Sequence, residues 1–431
     1  MQQSNRDKYL PWIVCLSASL FFFYEFFQIN MLNALSSGIT QSLAPTATEL
    51  GTLSACYFYG NVIGLFPAGL LLDRFSTRRL ILIAMSLSII GTFLFSLSNA
   101  LVPMSVGRFL SGLAGGSFCF LSTVRLTSRW FPPQRMAFML GVIVTIATLG
   151  GVLAQAPLTA LLSVVTWQKA VILQAMVGIL ILGIISLSVK DMPKTFLPLD
   201  NYKHKINFWL TLKTAVSNPQ NWLGGLYASL LNLPILVLGA LWGSLYLTQM
   251  HGLSKIEASY VTMMLYIGMI IGSPAVGFFS DAIGRRLFPM LIGAVVSLAL
   301  ILSVYFMKLG VNQLLILFFL LGFFSSVQTL GYSFVAENNP ISITASAVGF
   351  ATVIIMSGGA IFQPLFGWLM SLNWGGAMEN GVPLYSIEDY NLAMQILPVA
   401  AIISILCLLF MRNTQSKSLF IRLLSTNFYK K

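Results

Sequence analysis

Two ionisable residues stand where the chain leaves no water to solvate them. Glu25 lies in Phe21-Phe22-Phe23-Tyr24-Glu25-Phe26-Phe27-Gln28, and Arg108 in Arg108-Phe109-Leu110-Ser111-Gly112, both inside long apolar stretches. In hydrocarbon either charge alone is strongly destabilising, so the sequence predicts that the two pair. A carboxylate at such a depth can take up and release a proton, and a guanidinium can hold an anion. For Glu25 the alternative is a static, hydrogen-bonded structural carboxylate. At about 100° per residue, Ser17, Phe21, Tyr24, Glu25 and Gln28 share roughly one third of a helix circumference. That polar stripe must face a cavity or another helix.

The elements that position these residues follow from composition. Hydrophobic residues make up 57% of the chain and charged ones 8%, with a mean hydropathy of +0.85, which excludes an ordinary soluble globule. Runs long enough to cross about 30 Å of hydrocarbon fall near 11–33, 50–72, 79–99, 103–125, 137–160, 168–189, 221–248, 257–279, 288–308, 312–335, 345–371 and 391–411. The expected fold class is an all-α membrane protein of twelve transmembrane helices in two six-helix halves, 1–189 and 221–411. A charged, proline-containing cytoplasmic linker, 190–220, joins them, and a basic tail, 412–431, ends the chain.

The net charge of +12 could suggest nucleic acid, but the placement of the charges decides otherwise. Of 24 Lys and Arg residues, 20 fall on the side of the N-terminus, while only Lys169, Lys255 and Lys308 fall on the other. That bias predicts both termini in the cytoplasm. Helix 1 runs on with no small-residue cleavage site behind it, so it is expected to stay as a span. The four cysteines, Cys15, Cys56, Cys119 and Cys407, fall inside predicted spans and read as small buried hydrophobes, neither disulfides nor metal ligands. No N-x-[ST] sequon occurs, which favours a bacterial inner membrane.

One short stretch occurs twice. Gly69 to Arg79 reads GLLLDRFSTRR, and 208 positions later Gly277 to Leu287 reads GFFSDAIGRRL. In each, a Gly ends an apolar run, an acidic residue follows four positions on (Asp73, Asp281), and a basic cluster comes next (Arg74, Arg78 and Arg79; Arg285 and Arg286). The Gly permits close helix approach, the Asp caps the next helix or pairs with Arg, and the Arg residues meet water and anionic lipid. A charged hairpin repeated at half length is what parallel repeats in transporters predict.

On these residues the chain resembles the major facilitator superfamily, whose loop between helices 2 and 3 recurs between helices 8 and 9. Gly277, Asp281, Gly284, Arg285 and Arg286 match it; the first copy has Gly69, Asp73, Arg74 and Arg78, but Ser76 and Thr77 where Gly and Arg are usual. Arg108 and Gly112 match the family's helix 4 motif, and Arg129-Trp130-Phe131-Pro132-Pro133-Gln134-Arg135 resembles its rigid turn after that helix. Gly141, Gly150, Gly151 and Pro157 resemble the drug/proton antiporter motif only in part, since the usual Gly-Pro pair is missing. The runs FFFYEFFQINMLNAL, PAGLLLDRFSTRR and ALWGSLYLTQMHGLSKIEAS look like the nutrient and siderophore importers of intracellular bacteria, and that branch is similar to the lysosomal dipeptide transporters.

The resemblance implies a monomeric secondary transporter that works by rocker-switch alternating access. Glu25 and Arg108 would couple proton movement to uptake, and an amino acid or small peptide is the expected substrate because a buried Arg suits a carboxylate. Candidate substrate-lining residues are Tyr24 and Gln28 in helix 1, Tyr57 and Asn61 in helix 2, Tyr227, Asn232 and Trp242 around the Asn/Pro interruption of helix 7, and Gln328 and Tyr332 in helix 10. Each reads equally as packing with a satisfied polar group. Helix 3 offers nothing, and Leu233, 208 positions after Glu25, confines ion coupling to the first half. Expected partners are a small-molecule substrate, protons and membrane lipid; no cofactor, metal or nucleic acid is expected. With no G-K-[ST] loop, and with His204 and His251 in opposite loops, neither an enzyme nor ATP-driven transport is supported. The alternatives are a siderophore or nucleoside importer, a proton-coupled exporter, a uniporter with Glu25 and Arg108 as a static clamp, and a non-transporting receptor.

Overall fold

The computed structural model describes residues 5–192, 208–340 and 343–412. The middle of the expected linker and nearly all of the expected basic tail lie outside the described residues. Twelve helices among the described residues are long and apolar enough to cross a membrane. The first six are α1 (Tyr9–Asn30), α2 (Ala47–Arg74), α3 (Thr77–Leu97), α4 (Leu101–Trp130), α5 (Phe138–Leu162) and α6 (Trp167–Ser188). The second six are α7 (Pro219–His251), α8 (Lys255–Ile283), α9 (Leu287–Phe306), α10 (Val311–Glu337), α11 (Thr344–Leu372) and α12 (Ile387–Phe410). Every expected span is found. Just beyond α1 the helix breaks at Met31 and resumes as Leu32–Leu43.

Local chemistry sets the helix starts. Thr46 and Glu49 form a reciprocal capping box at α2, with the Thr46 N–H donating to Glu49 Oε2 at 2.8 Å. Ser254 and Glu257 do the same at α8, at 2.9 Å. The two boxes stand 208 positions apart, the offset of the charged hairpins, so the repeat covers the whole length of these helices. At α3, Asp191 accepts the Arg78 N–H at 2.9 Å and the Ser76 hydroxyl at 2.5 Å. The capping carboxylate therefore comes from the start of the linker, and Asp73 pairs with Arg125 of α4 instead, at 2.9 Å. Later in the expected linker, the helix Phe208–Ser217 lies against α11, where the Ser346 hydroxyl donates to Thr211 Oγ1 at 3.2 Å.

Between the halves α2 lies along α11, and α5 against α8. Contact is tightest at the end where α1 leads into α2 and α11 into α12. There a Cβ on Gly51 would stand 2.6 Å from the Gln363 carbonyl oxygen, and one on Gly367 would overlap the carbonyl of Ala47. The hydroxyls of Thr48 and Ser371 are 3.2 Å apart. The loop after α11 forms a small hairpin, Met378–Glu379 against Val382–Pro383, turning on Asn380 and Gly381, both at positive φ. Beyond it Tyr385 accepts the Ala47 N–H at 2.8 Å, so this loop bridges the halves.

Every hydrogen bond described between the halves lies toward that end. At the other, basic end, Gly69 and Gly277 have nothing within 4 Å of where a Cβ would sit. The close approach expected of these glycines is not made. Thr48→Cys combined with Ser371→Cys, in a chain with its native cysteines replaced, should cross-link under mild oxidation. Cleavage at an engineered site between the halves followed by non-reducing electrophoresis reads this out, and two separate fragments would rule out the closed end described.

Candidate functional site

Glu25 is 0% exposed, and both its oxygens are satisfied. The Tyr57 hydroxyl donates to Oε2 at 2.9 Å and the Ser88 hydroxyl to Oε1 at 2.5 Å. One side chain of α1 thereby ties α2 and α3, and α4 makes the room. Where α4 widens into a π-helical turn over Gly112–Gly116, a Cβ on Gly115 would overlap the Glu25 carboxylate, and one on Gly116 would stand 2.6 Å from the Tyr57 hydroxyl.

Arg108, on the same helix one turn earlier, is equally buried but forms no ion pair with Glu25. Its Nη1 donates to the Gln28 carbonyl at 2.6 Å, and its Cζ lies 4.9 Å from the Tyr57 ring centroid. The expected direct pair fails for a simple reason. Two hydroxyls already serve the carboxylate, while Gln28 lies in the last turn of α1, where carbonyls run out of helical partners. The ion pairs among the described residues all lie at the basic end. Arg108 Nε and Nη2 are buried without a partner, and together they form one edge of the planar guanidinium.

The polar stripe of α1 thus faces other helices. Tyr24 and Thr92 share a hydrogen bond at 3.0 Å, and the Gln28 amide donates to both. Asn61 is buried beside Gly116, and its backbone carbonyl accepts from Ser117 at 3.0 Å. Sequence reasoning missed α3, which supplies Ser88 and Thr92. The signal was there: Ser88, Thr92 and Ser96 recur every fourth residue and form one polar helical face.

The second-half candidates do not converge in the same way. Gln328, on a short 3₁₀ turn of α10, donates to Asn232 Oδ1 at 3.0 Å. Trp242 closes a π-helical segment, Pro234–Trp242, donates to the Gln363 carbonyl at 3.2 Å and stacks on Phe366. Tyr227 turns to α9, donating to the Met290 carbonyl at 2.7 Å inside an apolar cluster. Tyr332 is half-buried one turn beyond Gln328. Among the described residues, the only buried charge of this half is Asp389, which caps the start of α12.

At the basic end each hairpin clamps its own half. Asp73 holds Arg125; Asp281 holds Arg286 at 2.5 Å, and Arg286 reaches Glu337 of α10 at 2.8 Å. Burial pulls the Arg286 pKa down, and the Glu337 and Asp281 carboxylates more than reverse this, leaving it raised. Arg78 Nη2 donates to the Ser186 carbonyl at 2.6 Å, while Arg74 and Arg285 are exposed. Gly284, at φ +71, ends α8 in the left-handed conformation that favours glycine.

The Major Facilitator Superfamily family profile matches residues 18–254 and 233–422. Among curated proteins, the chain is 24% identical to a hexuronate transporter of Bacillus subtilis (strain 168) over 60% of its length and 61% of that protein's. It is 23% identical to the probable galactarate/D-glucarate transporter of Escherichia coli (strain K12), over 79% and 82% of the two chains. It is also 23% identical to the lysosomal dipeptide transporter MFSD1 of Danio rerio, over 64% and 63%. The chain thus spans about three fifths of the hexuronate transporter's length. Among solved structures, a D-xylose-proton symporter shares the fold with a TM-score of 0.75 at 15% identity, covering 95% of this chain and 99% of that one. A bacterial homologue of the human lysosomal transporter Spinster, inward-facing and unoccupied, gives 0.74 at 15% identity, over 93% and 95%.

Gly115→Ala should destabilise the purified protein by about 1–3 kcal/mol, the usual cost of overpacking a filled site. Gly69→Ala, which meets open space, should leave the thermal midpoint in detergent unchanged or slightly raised. Equal midpoints for the two variants would show that Gly115 does not make the room for Glu25.

Proposed function

Because the chain belongs to the major facilitator superfamily, and so is a multi-pass membrane transporter rather than an enzyme, we propose that it is a proton-coupled importer of a small, carboxylate-bearing nutrient. The observation that carries this reading is the pairing of a buried, fully hydrogen-bonded Glu25 with an Arg108 whose Nε/Nη2 edge is unpartnered. Two parallel N–H donors fit the two oxygens of a carboxylate. A solute carboxylate on that edge draws the guanidinium and the Tyr57 ring toward itself, and the Tyr57 hydroxyl leaves Glu25 as it moves. A carboxylate that has lost a donor in a water-poor site is best accommodated by taking a proton. Binding of solute and proton then go together, and the halves change over with both aboard.

One proton crossing 100 mV contributes about 2.3 kcal/mol, which supports roughly fifty-fold accumulation. Amino acids and small peptides are the first substrate class in this reading. Sugar acids are the second, favoured by the hexuronate and galactarate/D-glucarate relatives and by a second half whose one buried carboxylate among the described residues, Asp389, is committed to capping α12. The basic hairpins, with 20 of the 24 cationic residues on their side, support a cytoplasmic location for both termini in a bacterial inner membrane.

Uptake of labelled alanine, alanyl-alanine, glucuronate, glucarate and uridine into proteoliposomes, with an imposed inward proton gradient, tests the proposal. The wild type should concentrate one acid. Glu25→Gln should only equilibrate it, and Arg108→Gln should raise its KM at least tenfold. Undiminished accumulation by Glu25→Gln would remove that residue from coupling.

A further inference from the structure

A cavity of about 1100 Å³ opens at the closed end, away from Glu25 and Arg108, neither of which lines it. It lies between the extension Leu32–Leu43, the turn from α5 to α6, the end of α7 and the start of α8. Its volume is that of a large small-molecule site. More than half of its lining residues carry a hydroxyl or amide, Asn33, Gln41, Thr159 and Ser244 among them, while apolar atoms make up most of the exposed wall, and Lys255 is its one charged residue. Two of the wall's hydroxyl oxygens, Thr159 Oγ1 and Ser244 Oγ, are buried without a partner. Buried polar atoms are normally paired, and turning toward the cavity would give each of these two a partner in a hydrogen-bonding guest.

The floor of the cavity is the seam between the halves. Asn33 Nδ2 donates to Gln155 Oε1 at 2.5 Å and to Thr262 Oγ1 at 3.1 Å, and its Oδ1 accepts the Ser244 N–H at 2.8 Å. Gln155 Nε2 donates to the Gly239 carbonyl at 2.9 Å, and the Tyr266 hydroxyl to Asn30 Oδ1 at 2.5 Å. This seam carries no charge. Asn33 and Ser244 belong both to it and to the cavity wall, so a guest rich in hydroxyl or amide groups can exchange hydrogen bonds with the seam one for one.

We propose that this vestibule is a docking site for a small polyhydroxy or amide-bearing acid, its carboxylate drawn by Lys255, held above the closed seam before the halves change over. The solute class rests on the transport reading; the site itself does not use Glu25 or Arg108.

Ser37 lines the cavity and is half-buried, so Ser37→Cys reports occupancy. Purified protein in detergent is labelled at this cysteine with a polar maleimide, in the presence of D-glucuronate, D-glucose or adipate. D-glucuronate should slow labelling at least threefold. D-glucose, without the carboxylate, and adipate, without the hydroxyls, should each slow it less. Protection should persist in Arg108→Gln, and Thr159→Val with Ser244→Ala should weaken it. Lys255→Gln, on the rim, should bring glucuronate down to the level of glucose. Absence of protection by all three probes, or protection that disappears in Arg108→Gln, would overturn the site. A Glu25→Gln chain that accumulates solute normally would sink the coupling reading while leaving this protection intact.

Discussion

A carboxylate can be held inside a membrane protein only if its oxygens find donors, and the first half is built around meeting that condition for Glu25. Tyr57 and Ser88 supply the donors, and Gly115 supplies the space by lacking a Cβ. The arrangement draws α1, α2, α3 and α4 to one point, so the half has reason to move as a unit. Arg108 shares Tyr57 with this cluster without touching the carboxylate. Had the two charges met directly through Nε and Nη2, that edge would not be free for a second carboxylate. A bridging aromatic ring keeps them coupled while leaving one side of the cation unspoken for.

The seam between the halves obeys the opposite rule. Its bonds join amides, hydroxyls and backbone groups, with no ion pair among the described residues crossing it. Separating a buried ion pair leaves two uncompensated charges, whereas neutral groups exchange partners with water at little net cost. A neutral seam can therefore be both closed and reopenable. The salt bridges Asp73–Arg125, Asp281–Arg286 and Arg286–Glu337 each stay within one half, where nothing requires them to break.

Much of this was legible in the residues. Hydropathy located all the spans, and Glu25 and Arg108 announced themselves as charges in apolar runs. Their mutual geometry was not legible, because it depends on hydroxyls two helices away and on a π-helical turn that no local pattern specifies. Ser88 and Thr92 were overlooked because small hydroxyl residues are ordinary in membrane helices, where they bond their own backbone, as Thr92 also does to the Ser88 carbonyl at 2.9 Å. Trp242 parted from Tyr227 and Asn232 because counting 100° per residue fails across Pro234–Trp242, where the helix is π-wound. Asp191 as the cap of α3 could not be inferred from a linker's composition.

The duplication explains why chemistry and scaffold separate so cleanly. Both halves keep the capping box at the start of the second helix and the Asp–Arg hairpin at its end, at one constant offset. Both also distort their first and fourth helices, at Met31 and Gly112–Gly116 in one half and at Pro234–Trp242 and Ser326–Gln328 in the other. What is not repeated is the charge: Leu233 stands where the offset places the mate of Glu25, and it is wholly buried. A second intramembrane carboxylate would need its own donors and its own missing Cβ, whereas the distorted segment of α7 gives the Gly239 carbonyl to the neutral seam and that of α10 turns Gln328 to Asn232. With the ionisable machinery in one half and a neutral seam shared by the two, protonation can alter the first half's surface without either half having to unfold a charge from its core.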